Sequence, residues 1–256
     1  MRTGIAVGAC VLFVALALAV EAPATLIDGR LDTLSGGRVR MLDAGGTLWN
    51  GRGALWFAPG YATPRLEWHL EAWPLLAGEL RGRLEGERGA EPHASFAIGG
   101  RAFALRDAAL TVPADAVLRA ADAPDALAAA GGTIGLRAES LSLQRDVIDG
   151  RVALRWDGAS LPGPRPEVRI ALGDMRLDAV GQGNALTATL ANAGGDVDIS
   201  GSARASTNGE ARIDAVIRPR AGIDVERSRA ITGALAAFGQ PDGADGYRFV
   251  WSAPSR

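Results

Sequence analysis

Arg65-Leu66-Glu67-Trp68-His69-Leu70-Glu71 alternates polar and large apolar residues at every step. A period of two puts Leu66, Trp68 and Leu70 on one face of an extended strand and Arg65, Glu67, His69 and Glu71 on the other. The stretch therefore reads as a half-buried β-strand. The same period recurs downstream: Leu80, Gly82, Leu84 and Gly86 alternate with charged residues, as do Val152, Leu154 and Trp156. It continues through Val168, Ile170 and Leu172, Val197 and Ile199, Ala211, Ile213, Ala215 and Ile217, and ends with Tyr247, Phe249 and Trp251. Gly-rich breaks separate the runs at Gly45-Gly46, Gly99-Gly100, Gly131-Gly132, Gly181-Gln182-Gly183 and Gly194-Gly195. Their spacing suits hairpins of an antiparallel sheet. About 12–15 strands are expected, and a sheet of that size must curl, fold over or split into two packed sheets.

Helical signals are few. Pro113–Ala121 and Pro124–Ala130 each open on proline, a good first-turn residue, and are Ala-rich; they predict a short helical insert. Asp224–Phe238 predicts a longer helix, with Asp224 as its cap, Ile231, Leu235 and Phe238 on one face, and Gly239 and Pro241 ending it. The chain beyond residue 22 reads as one β-rich domain, 23–256, with two halves at about 23–112 and 131–256 around that insert. Both halves carry a Gly-Thr step (Gly46-Thr47, Gly132-Thr133) and then a Trp-bearing strand.

The first 22 residues differ in kind. Met1 and Arg2 precede an uncharged apolar run, Gly4–Val20, which as a helix spans roughly 25 Å, near the lower limit for a bilayer. A cleaved signal peptide is the alternative, but the apolar run is long for one and Pro23 is a poor residue just after a cut at Ala22. The charges, Arg2 before and Glu21 after, predict a cytoplasmic N-terminus with the bulk of the chain across the membrane.

Composition excludes some functions. The net charge is −2, every basic side chain other than the two histidines is arginine, and no basic block stands out, so a nucleic-acid partner is not expected. The single cysteine, Cys10, lies in the apolar run, so no disulfide within the domain is expected. His69 falls on a polar strand face and His93 sits beside Pro92 in an expected loop; with no cysteine near either, no metal site is expected. No nucleophile elbow or zinc-protease motif is present. Asp196 and Asp198 read as the wet face of a strand. No catalytic residue, cofactor or metal is assigned, and the chain is not expected to be an enzyme. Four of the six tryptophans fall at positions 49, 56, 68 and 73, and they read mainly as core. Trp49 is the exception, because Asn50-Gly51 signals a tight turn beside it.

Pro23-Ala24-x-Leu26-Ile27, then Gly46-Thr47-Leu48-Trp49-Asn50-Gly51-Arg52-Gly53, resembles the N protein of the type II (general) secretion pathway. Leu66-x-Trp68 followed by Trp73-Pro74-Leu75-Leu76-x-Gly78-x-Leu80 is similar to the family's next segment, and Leu154-x-Trp156-x-Gly158-Ala159 and Gly246-Tyr247-x-Phe249-x-Trp251 also fit. The ending departs from the family's common Trp-x-Gly, with Trp251-Ser252-Ala253 instead. The resemblance implies a single-pass inner-membrane protein with a periplasmic domain. It would be an accessory component of the machine that exports folded proteins across the outer membrane, bound to the inner-membrane platform or to periplasmic subunits, with no catalytic residues to carry over. Gly46, Thr47, Leu48, Trp49, Asn50 and Gly51 are the expected contact residues. A different reading is an AsmA-like carrier holding lipid or another apolar ligand on an open apolar sheet face. A face closed by a second sheet or by the 224–238 helix would leave no room for it.

Overall fold

The computed structural model describes residues 23–57, 60–87, 91–100, 102–120, 129–163, 169–236, 239–243 and 246–253. The expected anchor, 4–20, and most of the second expected insert helix, 124–130, lie outside the described residues.

The strands are β1 (Val39–Gly46), β2 (Asn50–Phe57), β3 (Tyr61–Ala62), β4 (Leu66–Glu71), β5 (Glu79–Gly86), β6 (His93–Gly99), β7 (Ala102–Pro113) and β8 (Gly131–Gln144). They continue as β9 (Val147–Pro162), β10 (Arg169–Gln182), β11 (Ala185–Ala193), β12 (Val197–Ser206), β13 (Ala211–Pro219), β14 (Gln240–Asp242) and β15 (Gly246–Ala253). All fifteen form one sheet whose order follows the chain, except that β15 lies between β13 and β14 and β3 pairs only with β2. Every pairing is antiparallel, and the sheet does not close into a barrel. The expectation of a mainly β antiparallel fold is met, as one sheet rather than two separate ones: all strands share one ladder, with β7 paired to β8 across the helical insert.

The alternation works as read. Leu66 and Trp68 are buried and Glu67 and His69 exposed. Register carries the apolar face across the sheet, from Trp68 to Leu84 and Phe96 to Leu105, then from Leu136 to Leu154 and Ile213 to Trp251. The opposite, outer face is polar and laced with exposed ion pairs such as Arg176–Asp178 at 2.6 Å. Such pairs contribute about 0–1 kcal/mol each.

The strands have two ends. The rim holds the turn after β1, the turn Trp73–Ala77 and the turns after β8, β10 and β12; the foot holds the C-terminal ends of β7, β9, β11 and β13. Helix α1 (Thr25–Ser35) runs from rim to foot along β1, with Leu31 packed against the cluster of Ala24, Met41 and Trp68. Helix α2 (Ala114–Ala120) sits at the foot against β7, β8 and β2, so the sheet curls far enough to bring β2 to it. Helix α3 (Val225–Ala236) buries Ile231 against Ala159, Leu172, Val197 and Ile199.

α3 is the expected 224–238 helix. Asp224 Oδ2 accepts from the N–H groups of Glu226 and Arg227 at 2.9 and 3.2 Å, which is an N-cap. Phe238 lies outside the described residues. α1 was not expected. Its Thr25, Gly29 and Thr33 are weak helix formers, and packing rather than propensity holds it. Two local readings are corrected. Gly131-Gly132 is not a break between hairpins but a bulge inside the start of β8, where a Cβ on Gly132 would lie 2.4 Å from Asp157 O. His93 is not in a loop: it opens β6 and pairs with Ala109, its ring 3.7 Å from Asp107.

Candidate functional site

The stretch Gly46–Gly51 forms the rim turn between β1 and β2. Thr47 N–H donates to Asn50 O at 2.9 Å, and Thr47 Oγ1 accepts from Asn50 N–H at 3.1 Å. The tight turn therefore spans Thr47–Asn50, and Asn50-Gly51 opens β2 rather than forming the turn's centre. Gly51 faces Trp68, and a Cβ there would lie 2.2 Å from the indole. Trp68 Nε1–H in turn donates to Leu48 O at 3.0 Å. Asn50 Oδ1 hydrogen-bonds His69 Nδ1, Leu70 N–H donates to Trp49 O at 2.6 Å, and Ala24 N–H donates to Gly46 O at 3.2 Å. The turn thus ties α1, β1, β2 and β4 together, with half-buried Leu48 and Trp49 at its apex.

The two lateral edges of the sheet differ. A free strand edge presents unpaired N–H and C=O groups, a template for another strand. On β1 that template is blocked. Met41 N–H donates to Asp28 Oδ1 at 2.8 Å and Val39 N–H to Ser35 Oγ at 2.9 Å, both from α1. A bulge with Asp43 at φ 50° breaks the ladder further. The opposite edge is different. β14 has only three residues, includes Pro241, and pairs with β15 only at Gly246–Arg248. No described strand covers Phe249–Ala253 on that side, and Val250 and Trp251 are exposed there. The sequence marks Phe249 and Trp251 as strand residues but not as an edge, because the pairing order is non-local.

The apolar face is closed in part. Its largest fully buried side chains, Leu66, Val197 and Ile231, lie at the foot or in α3. Toward the rim, from β6 to β15, the same face carries half-buried Phe103, Leu105 and Leu141, and Ile98, Ile213 and Trp251 are exposed. The described helices pack at the foot and over β1–β4, so the rim half of the face has no second layer among the described residues.

The polar side chains have structural employment. Asp196 Oδ2 accepts from Ala171 N–H at 2.8 Å and pairs with Arg227 at 2.7 Å, pinning α3 to the foot; Asp198 pairs with Arg220 at 2.6 Å. Asn192 Nδ2 donates to Leu172 O and Val197 O at 2.6 and 2.8 Å, while its Oδ1 accepts from Ile199 N–H at 2.7 Å, bridging β10 and β12. Arg248 donates to both carboxylate oxygens of Asp214 at 2.7 and 2.6 Å. That hydrogen bonding, with the charges of Arg248 and Arg212, holds the Asp214 carboxyl below its usual value. Among the described residues no group of three or more His, Cys, Asp or Glu could hold a metal ion.

A family model described as type II secretion system, protein N, matches residues 37–250, from the first residues before β1 into β15. No curated protein and no solved structure matches the chain.

Proposed function

The chain belongs to the type II secretion system protein N family, and from that premise we propose that it is an accessory, non-enzymatic component that binds other secretion subunits by accepting a partner strand on β15. Family membership itself implies contact with other subunits of the system. One observation carries the assignment of the edge: Phe249–Ala253 pairs with β13 on one side and with no described strand on the other, while α1 and a bulge close the opposite edge of the sheet. An added strand gains main-chain hydrogen bonds from the ladder and side-chain specificity from Val250 and Trp251. Leu48 and Trp49, at the apex of the Gly46–Gly51 turn, are a second contact. The apolar run 4–20 anchors the chain in the inner membrane, with residues 23–256 in the periplasm and in contact with platform or periplasmic subunits. Such tethering raises the domain's effective concentration at the platform.

The test is purification of the full-length protein from mildly crosslinked native membranes, with protein and lipid mass spectrometry on the same sample. Secretion subunits should co-purify with the wild type and fall away in Val250→Pro, which removes an edge N–H and resists pairing. Equal recovery of those subunits with Val250→Pro would rule out the β15 edge. A second reading, an AsmA-like lipid carrier, is favoured by one observation, the uncovered rim half of the apolar face. Stoichiometric lipid without secretion subunits would establish that reading instead.

A further inference from the structure

We propose that the rim of the sheet is a membrane-docking edge, seated on the surface of the bilayer that the 4–20 segment enters; this rests on the anchored reading above. The first observation is where the chain joins the sheet. Pro23 bridges to Thr47, and Ala24 N–H donates to Gly46 O, so the domain begins at the rim and not at the foot. From Val20 to Pro23 the chain can reach at most about 10 Å even when extended. An anchor ending at Val20 therefore leaves the rim, not the foot, within reach of the bilayer surface.

The second observation is independent of the first. Every exposed large hydrophobic residue of the described chain lies toward the rim, except Leu42 and Val250 in mid-strand and Val225 at the foot. Trp73 and Leu76 are the most exposed, at 82% and 81%, and both sit on the short turn Trp73–Ala77, closed by Gly78 at φ 74°. Ile98, Val147, Ile213 and Trp251 extend the apolar rim across β6 to β15. Tryptophan and leucine projecting from turns suit the headgroup boundary, where an indole keeps its N–H wet and buries its ring. Scattered apolar residues need no explanation, but their collection at the one end next to the membrane attachment does. Ile98, Ile213 and Trp251 also lie on the apolar face, so in this pose the uncovered half of that face opens toward the bilayer.

The test uses full-length protein in phosphatidylethanolamine–phosphatidylglycerol nanodiscs, with a nitroxide label read for collision with oxygen, which concentrates in lipid, and with a nickel chelate, which stays in water. Labels go at native Cys10 and, in the Cys10→Ala background, at Leu76→Cys, Val147→Cys and, as a control at the foot, Val225→Cys. All three of those positions are exposed, so the substitutions leave the packing intact. The expected result is a several-fold higher oxygen-to-nickel ratio at residues 76 and 147 than at 225. A water-exposed reading at either rim position, with Cys10 in lipid, overturns the docking edge and leaves the anchor standing. Shielding of either rim label from both probes would reveal a protein contact and would also overturn it. Cys10 in water overturns the anchor and this proposal with it.

Discussion

At the scale of single residues, the side chains that matter most are those whose neighbours leave no alternative. Asn192 satisfies two carbonyls and one N–H of the foot ladder, so Asn192→Leu strands all three partners in a half-buried site. Each buried unmet group costs about 1–3 kcal/mol, and local relaxation recovers part of the sum. The expected loss is about 2–4 kcal/mol by urea denaturation, and a loss below about 1 kcal/mol would show that Asn192 is dispensable. Gly51→Ala forces the Trp68 ring away and breaks its bond to Leu48 O, at about 1–3 kcal/mol. Asp214 gives a prediction in pH. Its carboxyl is held low by Arg248 in the folded state, so its contribution is complete above the ordinary carboxylate value, near 4, and fades as pH falls through the lowered one. Asp214→Asn should therefore flatten the acid limb of the stability–pH curve and leave its slope near neutrality unchanged. An unaltered acid limb would remove Asp214 from the account.

At the scale of elements, α3 is the clearest closure of the apolar face. Ile231 is 1% exposed and sits against Leu172, Val197 and Ile199, so Ile231→Ala should cost about 2–5 kcal/mol in calorimetry or denaturant titration. A cost under 1 kcal/mol would mean that α3 rests loosely on the sheet. This helix was legible in the sequence because its cap, its apolar spacing and its ending glycine are all local. The faces of β4 and β5 were legible for the same reason: alternation needs no knowledge of neighbours. α1 was not, since its helix depends on Leu31 reaching the cluster that Ala24, Met41 and Trp68 form. Gly131-Gly132 misleads because a glycine pair looks alike at a hairpin and at a bulge, and only the strand opposite decides. The Gly46–Gly51 stretch was legible as a special turn, while its bonds to Trp68, His69 and Leu70 were not. The open and closed edges were hidden as well. Which strand is last depends on β15 inserting between β13 and β14, a pairing no local pattern records.

At the scale of the whole molecule, the described sheet is closed at the foot and along β1, and among the described residues it is uncovered toward the rim and along Phe249–Ala253 of β15. That asymmetry has a measurable consequence for buried charge. A carboxylate placed in the covered part cannot reach water, whereas one on the uncovered part can turn its head outward and stay solvated. Val197, 1% exposed beneath α3, represents the first case, and Leu141, half-buried in mid-sheet toward the rim, the second. Val197→Glu should lose about 4 kcal/mol or more, enough to unfold much of the protein, because an unpaired charge in a closed core has no compensating partner. Leu141→Glu should lose no more than about 1–2 kcal/mol, the transfer cost of the missing apolar contact. Circular dichroism melts of the two full-length variants in the same detergent decide the matter. Equal, large losses would mean that the rim half is as closed as the foot, which would leave no room for an apolar ligand there. Unequal losses in the stated order leave the uncovered half available, and the lipid content of Leu141→Glu then separates the two functional readings. A carrier would lose its lipid, while a subunit that acts through β15 would keep its protein partners unchanged.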